Sequence, residues 1–255
     1  MGFGSETGWK AIHPESTDPP PFDYVKDMVD ERIREICNKI HDFFGVCDKP
    51  RLFLTGKGNF RLDIAKKKPY KGTRILPKPF HYANIKAYLQ MQYEAEVVEG
   101  MEADDMLCIE QTDKTIICSR DKDVKSCPGW HFGWELGKQA QYGPVLIEEP
   151  GSLSLSADKK KLVGTGSKFF FAQCLMGDNV DNIPGLPQNG PVSVYNRLND
   201  LQEYGDMERA VSEAYRGFYG DTWKEEMLEQ ARLVWMVREL DEEGKPVMWD
   251  FIDES

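Results

Sequence analysis

Seven carboxylates fall into three short segments of this chain: Glu102-Ala103-Asp104-Asp105, Asp121-Lys122-Asp123, and Gly177-Asp178-Asn179-Val180-Asp181-Asn182. Taken singly, each acidic pair suits a helix N-cap or a solvated helix start. Taken together they suit a cation. Seven acids in one cleft would repel one another and raise each other's pKa, a conflict that divalent ions remove. No His or Cys accompanies the acids, so the donor set is hard oxygen and the expected ions are Mg²⁺ or Mn²⁺. Two such ions roughly 3.5 to 4 Å apart can activate water and stabilise both oxygens of an in-line phosphoryl displacement.

The flanking sequence explains how these acids would be held. Thr115 to Ser119 is a nearly continuous apolar run, the pattern of a strand buried on both faces, and Asp121 and Asp123 follow it directly. In open α/β sheets this carboxyl end is where ligands bind. Glu102 and Asp105 stand three apart at the start of an expected helix, on one face. Upstream, residues 1 to 22 read as loop. Asp23 is expected to cap a helix whose apolar residues Val25, Met28, Val29, Ile33, Ile36, Ile40 and Phe43 recur at helical spacing as far as Gly45. A strand at 51–55, a helix at 80–93 and a strand at 95–98 follow. Short strands are expected over 144–163, with a turn at Ala157-Asp158-Lys159, then a helix over 167–176. The remainder reads as acidic helix, with a strand near 247–251. Strands alternating with helices predict an α/β fold with a mostly parallel central sheet flanked by helices.

The net charge of −11 hides an asymmetry. Residues 49–78 hold ten Lys/Arg against Asp63 alone, whereas residues 199–255 hold sixteen Asp/Glu against six Lys/Arg. A cationic segment on an acidic body can focus a polyanion onto one place. No apolar run reaches membrane-spanning length and no signal peptide opens the chain, so a cytoplasmic protein is expected. Six scattered cysteines with no C-x-x-C pair are expected to be reduced. Gly56-Lys57-Gly58 lacks the spacing of a nucleotide-binding loop.

With these residues in view, the chain resembles the 5′ nucleases that include phage 5′ to 3′ exonucleases, flap endonucleases and the nuclease domain of bacterial DNA polymerase I. The likeness rests on Glu102 to Asp105, on Ser119-Arg120-Asp121-Lys122-Asp123, and on Gly177 to Gly185, in family order, and spans about residues 23–200. It implies that Glu102, Asp104, Asp105, Asp121, Asp123, Asp178 and Asp181 hold two Mg²⁺ or Mn²⁺ ions, with Asp121 and Asp123 essential to catalysis. Pro69 to Arg74 resembles the base of a helical arch over 57–80 through which single-stranded 5′ ends pass. Lys71 and Arg74 are then expected at the scissile phosphate, Tyr70 to stack a base, and Arg61, Lys66, Lys67 and Lys68 to contact DNA. Leu186 to Val194 resembles a helix-hairpin-helix turn, implying duplex contacts at Gly185, Asn189, Gly190 and Ser193 and a K⁺ ion. The expected domains are 1–165, the nuclease core, and 166–255, the helix-hairpin-helix and acidic helical region.

The expected activity is hydrolysis of DNA at 5′ single-stranded ends, flaps or duplex junctions to give 5′-phosphates, in phage-type replication or repair. The sequence departs from the family at two places. The first family strand and its Asp do not precede Gly2, so a truncated chain or a start assigned too far downstream is expected, and Gly56 stands where another Asp is usual. These departures leave open a junction-binding protein impaired in catalysis, and the shared apparatus leaves open a ribonuclease.

Overall fold

The computed structural model describes residues 2–73 and 77–252, without the side chains of residues 2–6. The chain divides into two compact units, 1–54 with 75–98, and 55–74 with 99–255. These units are drawn differently from the expected boundary at 165. The physical reason is that Tyr70, Leu153 and Leu162 share one core with Phe169 to Leu175 and with residues as late as Trp249.

The first unit begins with a helix, α1 (Gly2–Ile12), where loop was expected. The expectation weighed Pro14 and the Pro19-Pro20-Pro21 run, which end structure only after α1. Helix α2 (Phe22–Phe44) buries Val25, Val29, Ile33 and Ile40 and stops at Gly45, whose φ of 75° suits a glycine. Its N-cap is Pro21, and Asp23 lies in the first turn without capping it. Strand β1 (Phe53–Thr55) runs to the edge of this unit. The short α3 (Phe60–Ile64) belongs to the second unit, and α4 (Tyr82–Tyr93) and β2 (Glu96–Val98) return to the first. Val25, Val29, Ile33, Ile85, Leu89 and Ala95 form its core.

In the second unit, α5 (Ala103–Ile109) leads to β3 (Ile116–Cys118), a 3₁₀ turn at Asp123–Ser126, β4 (Gly129–Gly133) and β5 (Tyr142–Ile147). Strands β3 and β4 pair in parallel, and β4 and β5 antiparallel. A hairpin, β6 (Leu153–Leu155) with β7 (Leu162–Gly164), follows. The α/β class is as expected, but among the described residues the strands fall into three small sheets and not one continuous parallel sheet. Strands of three to six residues limit how far each ladder can extend. Helix α6 (Gly166–Met176) is buried on every side from Gly166 to Leu175: its apolar residues go round the helix, and the buried Lys168 donates to the Asn199 carbonyl at 2.7 Å. Helices α7 (Pro191–Leu198), α8 (Tyr204–Tyr219) and α9 (Trp223–Val234) surround it. Residues 247–251 form no strand. Among the described residues no helix is long and apolar enough to cross a membrane.

Candidate metal centre

The first acidic motif is built around the start of α5. Glu102 is its N-cap, closing a capping box in which the Asp105 carboxylate accepts the Glu102 N–H at 3.0 Å. Asp105 points inward. Both of its oxygens take the Arg61 guanidinium at 2.7 Å, and Oδ1 also accepts the Val237 N–H at 3.1 Å. Arg61 donates further to the carbonyls of Leu233 and Trp235, and neither Arg61 nor Asp105 is exposed. Asp104, one residue away, has no such partner. Burial, together with the negative charges of Asp121, Glu102 and Asp105, pushes its carboxyl up to about 7.

The second motif follows β3. Ser119 Oγ accepts the Asp121 N–H at 3.0 Å, and Asp121 Oδ1 accepts the Asp123 N–H at 3.0 Å. This local winding fixes the Asp121 carboxylate and the backbone of both residues before the 3₁₀ turn begins. Asp123 Oδ1 takes the Lys122 ammonium at 2.7 Å and the Gln173 amide at 2.6 Å. Burial raises Asp123 to about 6, since the attraction of Lys122 is countered by Asp121 and Asp178.

The third motif is a tight loop closing α6. Asp178 and Ile183 exchange backbone hydrogen bonds at 2.8 Å. A Cβ at Gly177 would lie 2.2 Å from the Ile183 carbonyl oxygen, so only glycine fits there. Asp178 is buried, yet the Lys122 ammonium and the Val180 N–H hold its pKa below the usual carboxylate value. Asp181 accepts the Tyr70 hydroxyl at 2.9 Å.

Six of the seven acids line one cavity of about 460 Å³: Glu102, Asp104, Asp121, Asp123, Asp178 and Asp181. Lys71 and Lys122 enter the same cavity. Lys71 pairs with Glu102 and Asp181, and Lys122 with Asp123 and Asp178. Among the described residues no three acids converge closely enough to hold an ion as they stand. The donors nevertheless fit hard divalent cations in kind and number. Two ammonium groups act as stand-in cations for four of the acids, while Asp104 carries the raised pKa of an acid short of positive charge. Arg120, Lys122, Gln139 and Gln173 also line the cavity and were not singled out from the sequence. Arg120 and Lys122 could have been, since they lie inside the second motif. Nothing local marks Gln173, a single amide in an apolar helix.

The structure departs from several site expectations. Arg61 cannot reach DNA and Asp105 cannot ligate an ion in this arrangement, because each satisfies the other in the interior. Tyr70 is 5% exposed, so its ring is covered and cannot stack on a base. Gly185 is buried, and its N–H donates to Gln230 Oε1 at 3.0 Å instead of facing a phosphate. Arg74 lies outside the described residues. The described part of the expected arch, 57–73, contains the five-residue α3 and turns. Lys66 and Lys68 are exposed, whereas Lys67 pairs with Glu226 and Tyr219. Gly190 caps α7, Ser193 is exposed in its first turn, and Asn189 Nδ2 donates to the Pro187 carbonyl at 3.0 Å. A Cβ on Gly56 would lie 2.6 Å from the Glu99 carboxylate, which itself accepts the Lys57 N–H at 2.6 Å.

No family model matches the chain. A stretch of 125 residues is 32% identical to a DNA polymerase I of Rhizobium leguminosarum, covering 46% of this chain and 11% of the polymerase. The chain thus spans a small part of that relative. A bacteriophage T5 D15 flap endonuclease in complex with DNA and metal ions aligns with 91% of this chain and 97% of its own, at 14% identity and a TM-score of 0.41. A T5 5′-exonuclease with bound zinc aligns with 89% of this chain and 97% of its own, at 16% identity and a TM-score of 0.38.

Proposed function

We propose that the chain is a 5′ nuclease that hydrolyses DNA phosphodiester bonds at 5′ single-stranded ends, flaps or duplex junctions, leaving 5′-phosphates. The observation that carries this reading is the meeting of three sequence motifs, as six carboxylates, in one cavity with Lys71 and Lys122. The 125-residue likeness to a polymerase I supports it.

Glu102, Asp104, Asp121, Asp123, Asp178 and Asp181 would hold two Mg²⁺ or Mn²⁺ ions. Such ions lower the pKa of water and neutralise charge on the reacting phosphate. The chain's own part is positioning. The capping box, the 119–123 winding and the 177–185 loop fix the acids on rigid backbone before any cation arrives. Lys71 and Lys122, which bridge acid pairs in the cavity, would be the ammonium donors to a phosphate oxygen. The exposed Lys66 and Lys68, in the basic segment, are suited to the DNA backbone.

The test is a double change, Asp121→Asn with Asp123→Asn, assayed on a 5′-flap substrate in Mg²⁺. Cleavage is expected to vanish while DNA affinity is retained within a fewfold. Undiminished cleavage would overturn the site assignment. A second reading, junction binding without turnover, is motivated by Gly56, which stands where the resembled family usually has an Asp. Any Mg²⁺-dependent turnover that the double change removes rejects it.

A further inference from the structure

Gln173 is a buried polar side chain of the cavity that the reading above does not use. It sits in α6 among Phe169, Phe170, Phe171, Ala172, Cys174 and Leu175, all buried, and is itself 3% exposed. An amide at such a position is costly unless both ends are bonded. Only one end is. Nε2 donates to Asp123 Oδ1 at 2.6 Å, whereas Oε1 is buried with no partner among the described residues. Lys122 donates to the same Asp123 Oδ1, so Oδ2 stands outside both bonds.

Resting on the proposed cation site, we infer that Gln173 is its positioning residue: Nε2 orients Asp123, and Oε1 accepts a hydrogen bond from water on the bound cation. Partners of this outer kind commonly change metal affinity by about 10- to 100-fold when removed. The two halves of the amide make separable contributions. A methionine of similar size removes both, and a glutamate keeps the acceptor while losing the donor.

The experiment titrates the full chain with Mn²⁺ alone, following the free-ion signal by electron paramagnetic resonance, for the parent, Gln173→Met and Gln173→Glu. Thermal melts without metal check folding. The expected result is a parent that binds, a Met variant weakened about tenfold or more, and a Glu variant between the two; a Glu variant equal to or above the parent overturns the donor role of Nε2. A Met variant within twofold of the parent overturns the role of Gln173 and leaves the cation site standing. A Glu variant as weak as the Met variant overturns the acceptor role, because a clamp on Asp123 alone predicts that loss. If Gln173→Met does not fold, Gln173→Leu, which also removes both ends of the amide, is titrated in its place. A parent that binds no Mn²⁺ removes the cation site itself, and this inference with it.

Discussion

Asp104 and Asp105 are neighbours in one motif and meet opposite fates. Asp105 is sealed in the interior, yet both oxygens are bonded to Arg61 and to backbone N–H groups of residues 102 and 237. Asp104 faces the cavity beside Asp121 and Glu102, and its pKa rises. The same residue type, one step along a helix, is satisfied on one side and short of positive charge on the other. Helical geometry is responsible, since a step of one residue turns the side chain by about 100°. The interior side joins α3, α5 and the end of α9 and belongs to stability. The cavity side is the one proposed to bind cations.

The largest expected effect comes from breaking the interior side. Arg61→Met leaves Asp105 buried without its counter-charge, and removing one partner of a buried pair costs about 3 to 5 kcal/mol. Urea unfolding should show this loss in full. Combining it with Asp105→Leu should recover much of it, because an apolar replacement of the whole pair is often close to neutral. A single variant as stable as the parent would mean that the pair does not hold the fold.

Much of the cavity side was legible in the sequence, and the interior side was not. The acids declare themselves because they cluster beside a buried strand and a glycine-bounded loop. The fate of Asp105 depends on Arg61, 44 positions away, and on the carbonyls of Leu233 and Trp235 more than 170 positions from Arg61. Local spacing carries no record of such contacts. The inward turn of Arg61 and Tyr70 is hidden for the same reason: both belong to a basic segment that looks like a DNA-binding face, and both are buried by distant partners. Strand β3 was legible from its apolar run, but the division of the strands into small sheets was not, since pairing is set by distant partners. Helix α1 was hidden by the prolines that follow it.

An intermediate effect is expected on the cavity side from divalent cations. Mg²⁺ at about 100 times its Kd should stabilise the parent by about 2.7 kcal/mol, if the unfolded chain does not bind it. Calorimetry should show a rise in Tm with Mg²⁺ for the parent. The Asp121→Asn, Asp123→Asn chain should show little, and Arg61→Met, though less stable, should keep the rise. Loss of the rise in Arg61→Met would join the two sides that this comparison separates.

The smallest effect is a pH dependence confined to the metal-free protein. Asp104 has an ordinary pKa of 3.8 and a folded value near 7, so between these values the folded chain holds more of its proton than the unfolded chain. That contribution is favourable at low pH and is lost as pH rises towards 7. His131 acts in the opposite sense: burial lowers it from 6.5 to about 4, so acidification through that window favours the unfolded state. The two partly cancel in the parent, and Asp104→Asn separates them. Relative to the parent, Asp104→Asn should gain stability as pH rises from 4 to 7, by on the order of 1 kcal/mol given the partial solvent access of the site. Urea midpoints at pH 4.5, 6 and 7.5 without metal measure the difference. A constant gap across these pH values would show that Asp104 is not short of positive charge, and the contrast with Asp105 would lose its electrostatic basis.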